Sequence, residues 1–213
     1  MKVLLLNGSP HENGSTYTAL HEMMKVFEKE GIEVELLQIG KLTIKGCQAC
    51  GYCKTHGKCA MDDVVNEVAE KLMAADGLVL GSPVYYASAN STLTALLDRL
   101  FYSTSGNDLR MKVGAAVCSA RRGGLTATFD QLNKYFTISG MPVASGQYWN
   151  GIHGNNGTEA SQDLEGMQMM RTLAQNMSFL MKSIALGREK YGLPVKEPGV
   201  ATNFIRNKKQ SSS

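Results

Sequence analysis

The apolar run Lys2-Val-Leu-Leu-Leu-Asn7 breaks into Gly8-Ser-Pro-His-Glu-Asn-Gly-Ser-Thr16, and helical spacing begins immediately afterwards. An unbroken run of strand length is the mark of a strand covered on both faces, as in a parallel sheet flanked by helices. A glycine-rich turn from such a strand leaves N–H groups free at the start of the next helix. With hydroxyls at Ser9, Ser15 and Thr16, and Ser15 or Thr16 available as a cap, the turn can cradle one phosphate. The plain alternative is an ordinary strand-to-helix turn. Two other phosphate loops are excluded. No lysine precedes the hydroxyl pair, so nothing reaches toward a β- or γ-phosphate. The glycine spacing departs from the dinucleotide fingerprint, and the next strand ends at Gln38-Ile-Gly40, without an acid to hold a ribose.

The alternation continues down the chain. Leu20, Met23, Met24 and Phe27 keep helical spacing up to Gly31, and 32–39 alternates as a second strand. A cysteine segment follows, and Asp62-Asp63 opens a helix bearing Val64, Val65, Val68 and Leu72. The third strand is expected at 77–81, running into a Ser82-Pro-Val-Tyr-Tyr-Ala87 loop and a helix through Leu93, Leu96, Leu97, Leu100 and Phe101. A fourth strand at 112–118 leads into Ser119-Ala-Arg-Arg-Gly-Gly124, then a helix from about 125 to 137. The fifth strand is placed at 142–145, before an irregular segment at 147–157 and a last helix over about 158–191. Five strands alternating with helices predict an α/β, doubly wound parallel sheet with helices on both faces and all strand C-termini along one edge. In the order 2-1-3-4-5, a ligand sits where the first and third strands diverge.

One domain is expected over 1–192, with a cysteine-rich loop at 46–60 and a C-terminal tail at 193–213 whose polar end predicts disorder. The net charge of +3 comes from scattered basic residues, apart from Arg206, Lys208 and Lys209, so nucleic acid is not an expected partner. Lys2 leads into a strand too short to span a bilayer, and no leader pattern is present, which predicts a cytoplasmic protein without membrane contact. In that compartment the five cysteines argue for metal or redox chemistry over structural disulfides.

The pairing of Gly8-Ser-Pro-x-x-x-Gly14-Ser-Thr16 with Gly81-Ser-Pro-Val-Tyr-Tyr86 and a glycine-containing loop after strand four resembles the NADPH-dependent FMN reductases of flavodoxin-like fold. The spacing Cys47-x-x-Cys50-x-x-Cys53-x5-Cys59 resembles that of their iron–sulfur flavoprotein branch. The resemblance covers about 1–154. It implies that Ser9, Asn13, Ser15 and Thr16 hold the FMN phosphate, and that Pro83, Val84, Tyr85 and Tyr86 border the ring system. It also implies that Ser119, Ala120, Arg121, Gly123 and Gly124 approach the polar edge of the flavin. Arg121 and Arg122 depart from the small residues of that loop, and either steer the NADPH 2′-phosphate or are solvated. A homodimer or homotetramer, with the flavin near a subunit interface, is implied in the same way.

Cys47-x-x-Cys50-x-x-Cys53-x5-Cys59 carries the second chemical signal. Zinc sites usually split four thiolates into two separated pairs, whereas three cysteines within seven residues, closed by a fourth, suit one face of a cubane. The spacing favours a [4Fe–4S] cluster over zinc, with free thiols as the bland alternative. Gly46, Gly51 and Gly57 relax the loop, and Lys45, Lys54 and Lys58 offset a negative cluster. His56 is expected in solvent, and Cys118 as an inert core thiol. Because adjacent strands lie about 4.8 Å apart, cluster and flavin are expected along one edge of the sheet.

The resulting expectation is an FMN-dependent oxidoreductase that takes electrons from NAD(P)H and passes them to a quinone, another flavin or a similar small acceptor, one at a time where a cluster takes part. The second class is a non-enzymatic electron carrier between proteins such as ferredoxins. Carriers of that type dock through strongly acidic surfaces, and this chain is mildly basic. No side chain is expected to serve as a catalytic acid or base, because hydride transfer is the cofactor's chemistry. Leu164, Met167, Met170, Leu173, Met177, Leu180, Met181 and Ile184 form an apolar stripe for core packing or a subunit contact.

Overall fold

The computed structural model describes residues 1–105 and 109–200. The end of the tail, with Arg206, Lys208 and Lys209, lies outside them. In chain order the elements are β1 (Lys2–Asn7), α1 (Ser15–Lys29), β2 (Glu33–Gln38), α2 (Cys53–His56), α3 (Val64–Ala74) and β3 (Gly77–Tyr85). They continue with β4 (Ser88–Ala89), α4 (Ser91–Ser103), β5 (Val113–Ala120), α5 (Leu125–Ile138), β6 (Gly151–His153), α6 (Gly157–Ala160) and α7 (Leu164–Tyr191).

The parallel strands lie in the order β2-β1-β3-β5-β6, and β4 folds back on β3 as an antiparallel hairpin arm. With that arm set aside, this is the expected order 2-1-3-4-5. The alternation of side chains along β1 explains its unbroken hydrophobicity. Leu4 and Leu6 face a core built with α3, α4 and α5, while Val3 and Leu5 face the methionine-rich core under α1 and α7.

Three boundaries differ from expectation by more than a residue or two. The first concerns the fifth strand. Residues 142–145 make only a bridge, Gly114 to Val143, and the ladder resumes at Gly151–His153 beside Cys118–Ala120. Between them the chain loops outward, exposing Tyr148 and Trp149. The buried Asn150 side chain stitches the gap by donating from Nδ2 to the Ala116 carbonyl (3.1 Å), and its own carbonyl accepts from the Cys118 N–H (3.0 Å). Side-chain bonding of this kind leaves no hydrophobic alternation for sequence to display.

The second concerns β3, which runs four residues past the expected end because the hairpin extends it. The third concerns the last helix. Asp163 interrupts the expected 158–191 span by capping α7, accepting from the Gly166 N–H at 2.9 Å and the His153 N–H at 2.7 Å. Within α7, Met170, Leu173, Met177 and Met181 are core residues and Met167, Leu180 and Ile184 pack at its margin, but Leu164 is 79% exposed.

Candidate functional site

The loops after β1 and β6 and the C-terminal ends of β3 and β5 enclose a cleft of about 720 Å³ at the C-terminal edge of the sheet. Its first wall is the turn into α1. Asn7 accepts from the Ser9 N–H (3.0 Å) and donates to Gln38 (2.7 Å), and Gln38 in turn donates to the Ser9 carbonyl, so β2 anchors the loop. The approach is so close that a Cβ on Gly40 would stand 2.2 Å from the Ser9 carbonyl carbon.

Ser15 does not cap α1. The N-cap is Gly14, in extended geometry and without a capping side chain. The hydroxyl of Ser15 instead donates to the Gly154 and Asn156 carbonyls (3.0 and 3.1 Å), and that of Thr16 pairs with Ser119 (2.7 Å). The N–H groups of the first turn therefore have neither a helical acceptor nor a cap, and they open at the end of the cleft lined by Asn13, Gly14, Ser15 and Thr16. That arrangement suits an anion held by backbone.

Pro83, Val84 and Tyr85 form the apolar wall, and Ser119, Ala120 and Arg121 close the other side. Tyr86, Gly123 and Gly124 do not line the cleft. Tyr86 and Ala87 occupy the two-residue turn of the β3–β4 hairpin with φ of 51° and 57°, and Tyr86 points wholly into solvent. Two consecutive left-handed residues define a type I′ turn, for which Asn-Gly is the preferred pair. Gly124 stands behind this rim as the N-cap of α5 at φ 95°, where a Cβ would meet Val84 Cγ1 at 2.7 Å. Arg122 is exposed.

Sequence reasoning missed Lys41, which pairs with Glu12 across the mouth (2.9 Å), and the segment Gly154, Asn155 and Asn156. The second miss follows from misplacing the fifth strand, since the loop after the true strand then fell in a segment read as irregular.

All four cysteines of the spaced motif, Cys47, Cys50, Cys53 and Cys59, line one small hollow against the C-terminal half of α4, together with Arg99, Tyr102 and Ser103. Left-handed backbone at Ala49, Gly51 and Gly57 folds the loop back on itself. Asn66 fixes Cys59 by accepting from its N–H (2.9 Å) and donating to its carbonyl (3.1 Å). Among the described residues, no three His, Cys, Asp or Glu side chains gather tightly enough to hold a metal ion. Four cysteines on one hollow nonetheless supply the donor set of a cubane, in which each iron takes one thiolate. His56 stacks on Tyr52 with ring centroids 3.7 Å apart and does not line the hollow. Cys118 is buried, and burial pushes its thiol up to about 12.

Hollow and cleft share no lining residue. Leu93 lies against Gly8 at the sheet edge, and Arg99 follows six residues later, about 9 Å down α4. The cysteines thus flank the sheet below its ligand edge rather than along it.

Residues 1–155 match the NADPH-dependent FMN reductase family. The chain belongs to that family. It is 33% identical over 191 residues to an iron–sulfur flavoprotein of Methanocaldococcus jannaschii, covering 86% of this chain and 99% of the relative. An iron–sulfur flavoprotein of Methanosarcina thermophila is 31% identical over 194 residues, 89% and 100% of the two chains. In fold the chain is similar to RosB, solved with 8-demethyl-8-formylriboflavin-5′-phosphate, at a TM-score of 0.69, 18% identity, and 98% and 95% coverage. The protein is therefore a flavodoxin-like member of a flavin-binding oxidoreductase family, related over most of its length to iron–sulfur flavoproteins. No helix among the described residues is long and apolar enough to cross a membrane.

Proposed function

We propose that the protein is an FMN-dependent oxidoreductase that draws electrons from NAD(P)H and delivers them to a quinone, another flavin or a similar small acceptor. The observation that carries this reading is the cleft, which brings an uncapped helix start for one phosphate together with the Pro83–Val84–Tyr85 wall for a flat ring. Bound FMN would supply the hydride chemistry. The chain binds and orients. First-turn N–H groups of α1 take the phosphate, Asn13 stands beside it, Pro83 to Tyr85 shield one side of the ring, and Ser119 to Arg121 offer polar groups to its edge. Ser15 and Thr16 serve by tying the cradle to the loop after β6 and to the end of β5.

Cys47, Cys50, Cys53 and Cys59 would hold a [4Fe–4S] cluster, which supplies a one-electron outlet when bound. The four-cysteine hollow and the iron–sulfur flavoprotein relatives support that assignment. They also favour a second reading, an electron carrier between ferredoxin-like partners. The exposed Leu164, Phe179, Leu186 and Tyr191 on α7 offer surface for a homodimer or homotetramer. The cytoplasm, where thiols stay reduced, suits this chemistry.

Anaerobic purification with flavin chromatography and a reduction assay tests the reading. Mostly FAD in the extract would refute FMN. Bleaching by NADPH or NADH, reversed by an artificial acceptor, supports the reductase. Reduction by a reduced ferredoxin but by neither nucleotide gives the carrier reading instead.

A further inference from the structure

Arg99 has 1% of its surface exposed, in the apolar row of α4 beside Leu96, Leu97 and Leu100. Its Nε and Nη2 donate to Cys59 Sγ at 3.3 and 3.2 Å, and its Nη1 and Nη2 form a fork with Asp63 at 2.7 and 2.9 Å. The same guanidinium reaches the Lys45 and Met61 carbonyls, both at 3.3 Å. Those two residues bracket the cysteine motif, so one side chain closes both ends of the loop. Arg99 is buried while its Asp63 partner keeps a third of its side chain in solvent, and taking a guanidinium out of water for a partly screened partner is a poor source of stability. A charge placed here with two donors on one sulfur therefore calls for a reason connected with that sulfur.

We propose that Arg99 is a positioning residue for the cluster, fixing the Cys59 sulfur and raising the reduction potential of the group bound to it. The inference rests on the reading of Cys59 as a cluster ligand. One-electron reduction adds one negative charge, part of which falls on the ligand sulfurs. N–H donors on sulfur favour that more negative state, and hydrogen bonding to sulfur is among the levers that set such potentials. The Asp63 carboxylate opposes the effect from the far side of the guanidinium. Lysine could not replace Arg99, because a point charge with tetrahedral donors cannot satisfy Cys59 and Asp63 as a planar fork does.

The test uses the full chain, reconstituted anaerobically with iron and sulfide, and reads iron content together with a spectroscopic redox titration. Arg99→Lys is expected to retain cluster and lower the midpoint on the order of tenfold in the one-electron equilibrium, about 59 mV. Asp63→Asn keeps a cap acceptor for α3 and the arginine, and is expected to move the midpoint upward. Opposite shifts are a signature that simple loosening of the loop does not produce. Should Arg99→Lys fail to fold, the upward shift in Asp63→Asn still decides. Iron-loaded wild type with variant potentials equal to its own, or both shifted the same way, overturns the inference and leaves the cluster reading standing. Wild type that takes up no iron overturns both.

Discussion

Thr16 Oγ1 and Ser119 Oγ lie 2.7 Å apart in the cleft, joining the start of α1 to the end of β5 across 103 residues of sequence. Both side chains are buried, so each hydroxyl depends on the other for its hydrogen bond. Removing one partner leaves the other unsatisfied, at a cost of roughly 1–3 kcal/mol, whereas removing both restores part of the loss. Urea denaturation of Thr16→Val, Ser119→Ala and the double variant should therefore give a double variant more stable than the sum of the single losses predicts. Additive losses would show that the pair carries no coupling.

The empty cap at Gly14 makes a sharper prediction about the ligand. Gly14 has φ −81° and ψ −175°, a geometry any residue adopts, so Gly14→Asp would place a carboxylate over the first-turn N–H groups. The new Cβ meets His11 Cβ at 3.0 Å and the His11 carbonyl oxygen at 3.3 Å, so the turn backbone must give by a few tenths of an ångström. The cap and the backbone shift oppose each other, so apo stability should change by no more than about 1 kcal/mol. FMN affinity should fall at least about tenfold, equivalent to 1.4 kcal/mol, because carboxylate and phosphate compete for the same donors. Fluorescence titration of the apoprotein with FMN reads the result, and unchanged affinity would place the phosphate elsewhere.

Much of this was legible in sequence, for identifiable reasons. The apolar run of β1 and the Leu stripe of α4 are covered on both faces or along one, and periodicity reports that directly. The cysteine motif is local, so its spacing survives folding as one hollow. What failed to show was structure made by side chains in place of pattern. Asn150 completes the sheet edge where no strand propensity exists, and misplacing that strand hid Gly154 to Asn156 from the site. Ser15 and Thr16 looked like phosphate donors because hydroxyls cannot reveal from sequence that they are already engaged. Arg99 could have been noticed: it follows Leu96 by three positions on the buried row, with the Asp62-Asp63 pair as a source of counter-charge.

The hairpin turn stores strain. Tyr86 and Ala87 both hold positive φ, which costs a residue with a Cβ on the order of 1 kcal/mol. Tyr86→Asn with Ala87→Gly supplies the pair a type I′ turn prefers and should stabilise the apoprotein by about 1 kcal/mol. The urea midpoint measures it. No gain would mean that the turn relaxes in solution.

Glu22 provides the pH dependence. Burial pushes its carboxyl up, but the Arg171 guanidinium at 2.7 Å and the Lys25 ammonium at 3.0 Å outweigh that and hold it below the ordinary range. A depressed folded value means that stabilisation is complete above the unfolded value of about 4.3 and is lost as pH falls through the folded value. Since the pair ties α1 to α7, wild type should melt above Glu22→Gln at pH 7, and the gap should close toward pH 3. A gap that is constant with pH would assign the effect to packing.

Cys53 opens α2 at the hollow, half-buried, with its sulfur 4.0 Å from the Tyr102 carbonyl. If the four thiols hold one cubane, anaerobically reconstituted protein should contain about four irons per chain, and Cys53→Ala should lose most of them. FMN should stay bound, because no residue of the hollow lines the cleft. Cys118→Ala is the control: its thiol is buried in β5, away from the loop, so iron and flavin should both be retained even where stability falls. Metal analysis beside the visible spectrum separates the outcomes. Zinc uptake at one ion per chain would make the loop a structural knuckle. Loss of FMN together with iron in Cys53→Ala would show that cleft and hollow fold as one unit, which their separate positions along α4 argue against.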